Sequence, residues 1–319
     1  MRQRKLTPRL DEVYSCRISP ISFGCLTCQT GPCDERVCSR GHPLSITFRE
    51  VFYRGGSGAR VNNFGGRTVV VTGALGGIGT SVVKSLASLG AQIILVDKHE
   101  KESATDFLAT LPSGNHRYFK VDLSDARQIE SLVQSLRPLK PDSLVALAGV
   151  VVSGQLAEQS ELAIKQVIDV NLISQLELSK QVIKFWLAEK IQGNIVFVSS
   201  WVDHVPWPGI TPYAASKAGL VAVCRGIARE YATRGIRANL IAPGIVDVGM
   251  AAKQWREEPD YKARASRAIP LGRLQKPEEV AKGVNFLLSE DASYMTGSTL
   301  LMDGGASLYP MDPDEVLGQ

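Results

Sequence analysis

The stretch from Thr68 to Gly90 constrains the fold more tightly than any other in this chain. Thr68-Val69-Val70-Val71 is a short β-branched run, the pattern of a strand buried on both faces of a parallel sheet. Thr72-Gly73-Ala74-Leu75-Gly76-Gly77-Ile78-Gly79 follows at once, and Val82, Val83, Leu86 and Leu89 then recur at helical spacing until Gly90. Strand, glycine turn and helix in that order let the backbone approach a pyrophosphate at the positive end of the helix dipole. Thr72, Gly73, Gly77, Ile78 and Gly79 are therefore candidate cofactor-binding residues. A plain tight turn is the other reading, and the flanking strand and helix argue against it.

The alternation continues downstream. Ile93-Ile94-Leu95-Val96 reads as a second strand and ends in Asp97, 18 residues past Gly79. That is near the roughly 20 expected for a carboxylate on a cofactor ribose; an acid in a solvated loop is the alternative. Leu144-Val145-Ala146-Leu147 and Ile195-Val196-Phe197-Val198 read as later buried strands, with long helices around 158–190 and 213–234. The pattern predicts an α/β fold: a Rossmann-type, doubly wound parallel sheet with helices on both faces, in one domain over 61–319. No run approaches the roughly 18–20 apolar residues of a membrane span, so no membrane partner is expected.

Residues 1–60 differ in kind. They show no sustained periodicity, carry Pro8, Pro20, Pro32 and Pro43, and end near the Gly55-Gly56-Ser57-Gly58 cluster, so they read as an irregular or disordered extension. They hold ten Lys and Arg against five acids, whereas the rest of the chain holds 26 bases and 27 acids. The body thus gives no electrostatic case for nucleic acid. Cys16, Cys25, Cys28, Cys33 and Cys38 all lie in this extension and only Cys224 in the body, which suits a reducing cytoplasm. Cys25, Cys28, Cys33, Cys38 and His42 suffice in number for a zinc but match no zinc spacing, and no metal is expected. Asp11, Glu12 and the prolines argue against a targeting peptide. The leading expectation is an over-extended reading frame, with Val61 preceding the start of the working protein.

Tyr213-Ala214-Ala215-Ser216-Lys217 puts a phenol and an ammonium four apart, on one face if the segment is helical. An amphipathic helix with an incidental pair is the alternative. Ser200 stands 13 residues earlier, directly after the 195–198 strand, and Asn171 lies 29 residues before Ser200. Strand ends of an open α/β sheet are where ligands bind.

Taken together, these residues resemble the short-chain dehydrogenase/reductase family over about 64–310. Thr72 to Gly79 matches its T-G-x-x-x-G-x-G turn and Tyr213 to Lys217 its Y-x-x-x-K, with Ser200 and Asn171 at the usual spacing. Asp122, followed by Leu123, matches the adenine-contacting position, and Pro243-Gly244, with Val246 after it, the loop beside the nicotinamide. Tyr294-Met295-Thr296-Gly297 and Asp303-Gly304-Gly305 are typical endings. One departure stands out: the family's N-N-A-G after the fourth strand is Ala146-Leu147-Ala148-Gly149 here. Ala148 and Gly149 keep the close cofactor approach, but a hydrogen bond bracing the central sheet is in doubt.

The resemblance implies a cytoplasmic homotetramer acting on a small alcohol or carbonyl compound with NAD, NADP being disfavoured by Asp97. It makes Tyr213 the general acid/base, with Lys217 and the positive nicotinamide lowering its pKa from the roughly 10 of a free phenol. Lys217 would also hold the nicotinamide ribose, Ser200 would donate to the substrate oxygen, and Asn171 would hold a water linking Lys217 to solvent. Trp201–Pro208 is similar to the corresponding segment of bacterial glucose dehydrogenases in the family, and so is the Asp303–Pro310 tail, although Val202 replaces a histidine. An aldose oxidised at C1 is the first substrate expectation; a 3-oxoacyl or other carbonyl compound is the second. Trp201, His204 and Trp207 could equally be loop packing. Residues 249–270, with Asp247, Lys253, Trp255, Arg256 and Glu257, read as either a lid over substrate or a surface helix. A cofactor-sensing binding protein is the non-enzymatic alternative, yet such a protein need not keep all four catalytic positions. Deleting residues 1–60 should leave a protein with wild-type activity, checked by turnover and by zinc content of both forms.

Overall fold

The computed structural model describes residues 63–205 and 207–308. The chain falls into two units, Met1–Gly58 and Ala59–Gln319, and every described residue belongs to the second. The cysteines of 1–38, His42, Val61, Pro206, Tyr309 and Pro310 lie outside the described residues.

Seven strands form one parallel sheet: β1 Thr68–Thr72, β2 Gln92–Asp97, β3 Arg117–Lys120, β4 Ser143–Ala146, β5 Asn194–Val198, β6 Arg237–Pro243 and β7 Thr299–Met302. Their spatial order is β3-β2-β1-β4-β5-β6-β7, so the chain winds outward from β1 in one direction and from β4 in the other. β1 pairs with β2 and β4 in parallel register, Val70 opposite both Ile94 and Leu144. This is the expected Rossmann-type sheet, and it puts a topological switch point at the carboxyl ends of β1 and β4.

Strand side chains alternate faces, and each face is covered by helices. On one face Val70, Ile94, Leu144, Ile195 and Leu240 pack with α3 Ala126–Leu136, α5 Ser174–Glu189 and α6 Thr211–Tyr231. On the other, Val69, Val71, Ile93, Leu95, Val145 and Ile241 pack with α1 Gly77–Ser88 and α9 Pro277–Leu288. Double coverage is why these strands read as unbroken apolar runs; each fully buried Val or Ile contributes about 1.5–3 kcal/mol. The remaining helices are α2 Lys101–Ala109, α4 Glu161–Ile168, α7 Gly249–Glu257 and α8 Pro259–Ala268.

The sequence expectation of one helix near 158–190 needs correction. The segment is α4, then a widened π turn at Asp169–Ile173, then α5. Periodicity runs through such a turn because it inserts one residue without breaking the helix. The missing asparagines of the fourth strand are compensated from β1. Thr72 Oγ1 accepts the Leu147 and Ala148 N–H groups at 3.0 and 3.1 Å and lies 3.4 Å from the Val145 carbonyl. Thr72→Val should leave both N–H groups without this acceptor and lower stability by about 2 kcal/mol. Thermal unfolding should show this as a loss of roughly 4–8 °C that Thr72→Ser largely restores.

Candidate active site

β1 is followed by Gly73, whose φ of +64° belongs to the left-handed region that favours glycine. The turn then folds back on itself so closely that a Cβ on Gly79 would lie 2.1 Å from the Gly73 carbonyl oxygen. α1 starts from this turn with no side-chain cap and no acid in its first turn. Its first N–H groups are therefore open to an anion beside the strand ends, as a pyrophosphate requires.

A cavity of about 800 Å³ opens at this place, at the upper end of the range for small-molecule sites. Gly73, Gly77, Ile78, Asp97, Asp122, Leu123, Ala148, Gly149, Ser200, Tyr213, Lys217, Pro243, Gly244 and Val246 line it. The structure thus brings together nearly every residue singled out from sequence. Thr72, Gly79 and Asn171 do not line it: each is buried behind the wall and acts on the backbone that shapes it.

At the adenosine end, Asp97 is a buried acid at the end of β2, not a solvated loop residue. Its Oδ2 accepts the Leu75 N–H at 3.0 Å, and its Oδ1 accepts the Lys98 N–H at 2.8 Å and contacts His99 Nδ1 at 2.6 Å. The second strand is thereby fastened to the glycine turn. Asp122 lies just beyond β3, and its carboxylate accepts from the Ser124 hydroxyl and N–H, which hold its pKa below the usual range.

At the other end, α6 begins with Pro212 in its first turn and presents Tyr213 and Lys217 one turn apart. Lys217 Nζ sits 5.5 Å from the Tyr213 ring centroid, almost fully buried, and donates to the Val198 carbonyl at 2.8 Å. Burial pulls the Lys217 pKa down to about 8 against an opposing pull from Asp203. Burial pushes Tyr213 up to about 12; a hydrogen bond with Ser200 works against this and the charge of Asp203 adds to it. The chain's own environment therefore acts opposite to the lowered phenol pKa expected from sequence, because desolvation penalises the phenolate.

Asn171 sits in the π turn and spends its amide on structure. Its Oδ1 accepts the Val150 N–H at 2.7 Å, and its Nδ2 donates to the Val150 carbonyl at 2.8 Å and to Ser216 Oγ at 3.1 Å. No direct bond joins it to Lys217, but a Cβ on Gly149 would lie 3.2 Å from Asn171 Oδ1 and 3.6 Å from Lys217 Nζ. Both groups converge on that backbone.

The rest of the wall is largely apolar: Val151, Leu162, Trp201, Val202, Trp207 and Ile210 among others. Trp201 and Trp207 meet edge to face at 5.5 Å, so they both line the cavity and pack the loop. His204 is half-exposed and turns to Asp203. From the 249–270 stretch, Gly249, Ala251 and Tyr261 reach the cavity, whereas Arg256 pairs with Asp247 and Lys253 with Glu257 away from it. Asp203 is the functional candidate that sequence reading passes over. An acid in an otherwise apolar loop between Ser200 and Tyr213 was the available signal.

Lys217→Met should abolish turnover while raising stability. The buried ammonium binds its proton less tightly folded than unfolded, so it destabilises the fold below about pH 8, and stability recovers as pH rises toward 10.5. Chemical denaturation should show the variant more stable by on the order of 1–3 kcal/mol at neutral pH, with the difference fading through that window.

The profile of a family described as enoyl-(acyl carrier protein) reductase matches residues 73–307. A 3beta-hydroxysteroid dehydrogenase of Eggerthella lenta is 34% identical over 249 residues, which cover 77% of this chain and 95% of that protein. A glucose 1-dehydrogenase of Gluconobacter oxydans is 33% identical over 252 residues, 78% of this chain and 94% of its own. A 3-oxoacyl-[acyl-carrier-protein] reductase of Escherichia coli is 33% identical over 247 residues, 76% and 98% of the two chains. A short chain dehydrogenase from Leptospira borgpetersenii, solved with bound NAD+, superposes with a TM-score of 0.69 at 25% identity, covering 84% of this chain and 98% of that one. An Agrobacterium tumefaciens structure with bound NADP gives 0.72 at 28% identity, covering 77% and 98%.

Proposed function

The chain belongs to the short-chain dehydrogenase/reductase family of pyridine-nucleotide-dependent oxidoreductases of alcohol and carbonyl groups, and from that premise we propose an NAD-linked enzyme in which Tyr213 moves the proton. The convergence of Tyr213, Lys217 and Ser200 on one cavity wall carries this reading. A bound nicotinamide supplies the hydride donor or acceptor and, when oxidised, a positive charge. Tyr213 Oη gives a proton to a carbonyl oxygen in reduction or takes one from a hydroxyl in oxidation. Ser200 Oγ donates to the same oxygen, and Lys217 Nζ, 5.5 Å from the Tyr213 ring centroid, places a positive charge beside the phenol and would hold the ribose of the nicotinamide. Asn171 keeps the Val150 backbone and α6 in register, so that these groups keep their spacing. The site thus has the parts of an enzyme rather than of a cofactor sensor.

The lining favours the second of the two substrate expectations. Val202, Ile210 and Ile245 around Tyr213 give an aldose few partners for its hydroxyls, and each buried hydroxyl without one costs about 1–3 kcal/mol. A carbonyl compound with an apolar body next to the reacting carbon suits this wall. The aldose reading keeps only the sequence likeness of the Trp201–Pro208 segment, since Trp201 is buried in the loop core and Arg264 lies over the Trp207 ring. Reduction of a panel of ketones and 3-oxoacyl thioesters, alongside oxidation of aldoses, separates the two by nicotinamide absorbance. Tyr213→Phe should lower turnover at least about 10²–10⁴-fold on whichever substrate succeeds, and comparable turnover would remove the assignment.

NAD is the proposed cofactor because Asp97 fixes a negative charge at the adenosine end. A 2′-phosphate about 4 Å away would cost about 4 kcal/mol at an effective dielectric of 20. Lys98 and His99 offset part of this. Asp97→Ala should weaken NAD and narrow the gap to NADP, measured as kcat/KM for both cofactors; a wild type that prefers NADP would refute the reading. Among the described residues no helix is long and apolar enough to cross a membrane. Exposed Leu162, Ile173 and Leu176 lie along α4, the π turn and α5 and support a homo-oligomer, with the tetramer of the sequence expectation as the proposed form and the cytoplasm as its location.

A further inference from the structure

Asp203 ends the single 3₁₀ turn Trp201–Asp203 that Ser200 opens, and its N–H donates to the Ser200 carbonyl at 3.0 Å. Its side chain is 4% exposed, which is rare for a carboxylate without a role, because burying a charge is costly unless it is paired and hydrogen-bonded. The inner oxygen, Oδ2, accepts from the Ser199 hydroxyl at 2.8 Å, and that hydroxyl also lies 3.3 Å from the Lys217 carbonyl. The outer oxygen, Oδ1, meets His204 Nδ1 at the surface. A short chain of contacts thus runs from a half-exposed imidazole through a buried carboxylate and a hydroxyl to the backbone of the catalytic helix.

We propose that the buried Asp203 carboxylate, tied to Ser199 and His204, is a positioning residue that biases where the proton rests in the Tyr213–Lys217 pair. Asp203 does not line the cavity, so it does not act by touching substrate. Its negative charge holds the proton on the Tyr213 phenol and keeps the Lys217 ammonium charged against the pull of burial. Its charge raises the proton affinity of both groups, adding to burial at Tyr213 and opposing it at Lys217, and the Ser199 link ties it to the helix that carries them. Helix α6 and β6 pack on its turn, and the turn's Trp201 and Val202 also cluster with Ile269, Leu274 and Ala306, whose chain neighbours include the charged Arg267, Arg273 and Asp303. α6 adds Arg225, Arg229 and Glu230, two or more turns beyond Lys217, and β6 adds only Arg237 at its far start. His204 is the titratable group in direct contact. A phenol kept protonated is ready to protonate a carbonyl oxygen, so Asp203 favours the reductive half of the proposed reaction.

The inference rests on the assignment of Tyr213 as the proton-transfer group, and the test separates the two. In the protein alone, the side-chain carbon resonance of Lys217, assigned by its absence in Lys217→Met, is titrated in wild type, Asp203→Asn and Asp203→Glu. Asp203→Asn keeps the shape and an acceptor for Ser199; Asp203→Ser serves should the amide pack badly. The neutral variant should lower the Lys217 midpoint by about one pH unit, and Asp203→Glu should restore it. In turnover, with the most active compound of the substrate panel, both limbs of the kcat/KM profile should move to lower pH by a similar amount. A folded neutral variant with an unmoved Lys217 midpoint overturns the proposal, as does a uniform fall in rate with unmoved limbs. A fully active Tyr213→Phe alongside a shifted Lys217 midpoint would instead defeat the assignment of Tyr213 and leave the field of Asp203 on Lys217 established.

Discussion

At the end of β1 two stretches of backbone pass in van der Waals contact. A Cβ on Gly73 would stand 2.9 Å from the Ala148 Cα at the end of β4. That approach is possible because the preceding residue, Thr72, accepts both N–H groups of the β4 exit, and because Gly73 turns into the left-handed region. The switch point of the sheet lies between these strands. The glycine turn, the uncapped start of α1 and the Ala148-Gly149 backbone all take their positions from it, and the cavity opens above it.

The cavity gathers Tyr213 and Lys217 on one side, and burial works against the charged form of each. Lys217 is held charged in a place that lowers its pKa to about 8, and Tyr213 is held neutral by the same desolvation. A fold optimised for stability alone would have an apolar residue at 217. The residue present is the one the proposed chemistry needs, with Val198 and Asp203 offsetting part of the penalty. The adenosine end is built differently: Asp97 receives its hydrogen bonds from backbone N–H groups of the glycine turn and the β2 exit, so its charge is stabilised where it lies.

Much of this was legible before any coordinates. Apolar runs at 69–71, 93–96, 144–147 and 195–198 gave strands because a doubly covered sheet leaves no polar face to interrupt them. The spacing of Ser200, Tyr213 and Lys217 located the site because a strand end and one helix turn fix their separation. Three things were not legible. The π turn at Asp169–Ile173 preserves apolar periodicity, so nothing in the sequence marks it. The use of Thr72 as the brace for β4 depends on a contact across 75 residues of chain. The direction of the Tyr213 shift depends on burial depth, which residue types alone do not carry.

Arg67 stands one residue before β1 and makes the longest-range clasp described above the sheet's amino end. Its guanidinium bonds Asp142 and Ser143 at the start of β4 and the Leu288 carbonyl at the end of α9. The last of these joins residues 221 apart. During synthesis the bonds to Asp142 and Ser143 can form once β4 has emerged, but the clasp is completed only when almost the whole described chain has left the ribosome. Parallel pairing between β1 and β4 closes a shorter loop and can precede that bond, although loop closure still comes before the reward of contact. Until β4 arrives the valine-rich β1 keeps one edge open, and an unpaired apolar edge of this kind is prone to aggregate. The sheet that carries the cavity at its carboxyl end is thus closed at its amino end by one of the last bonds to form.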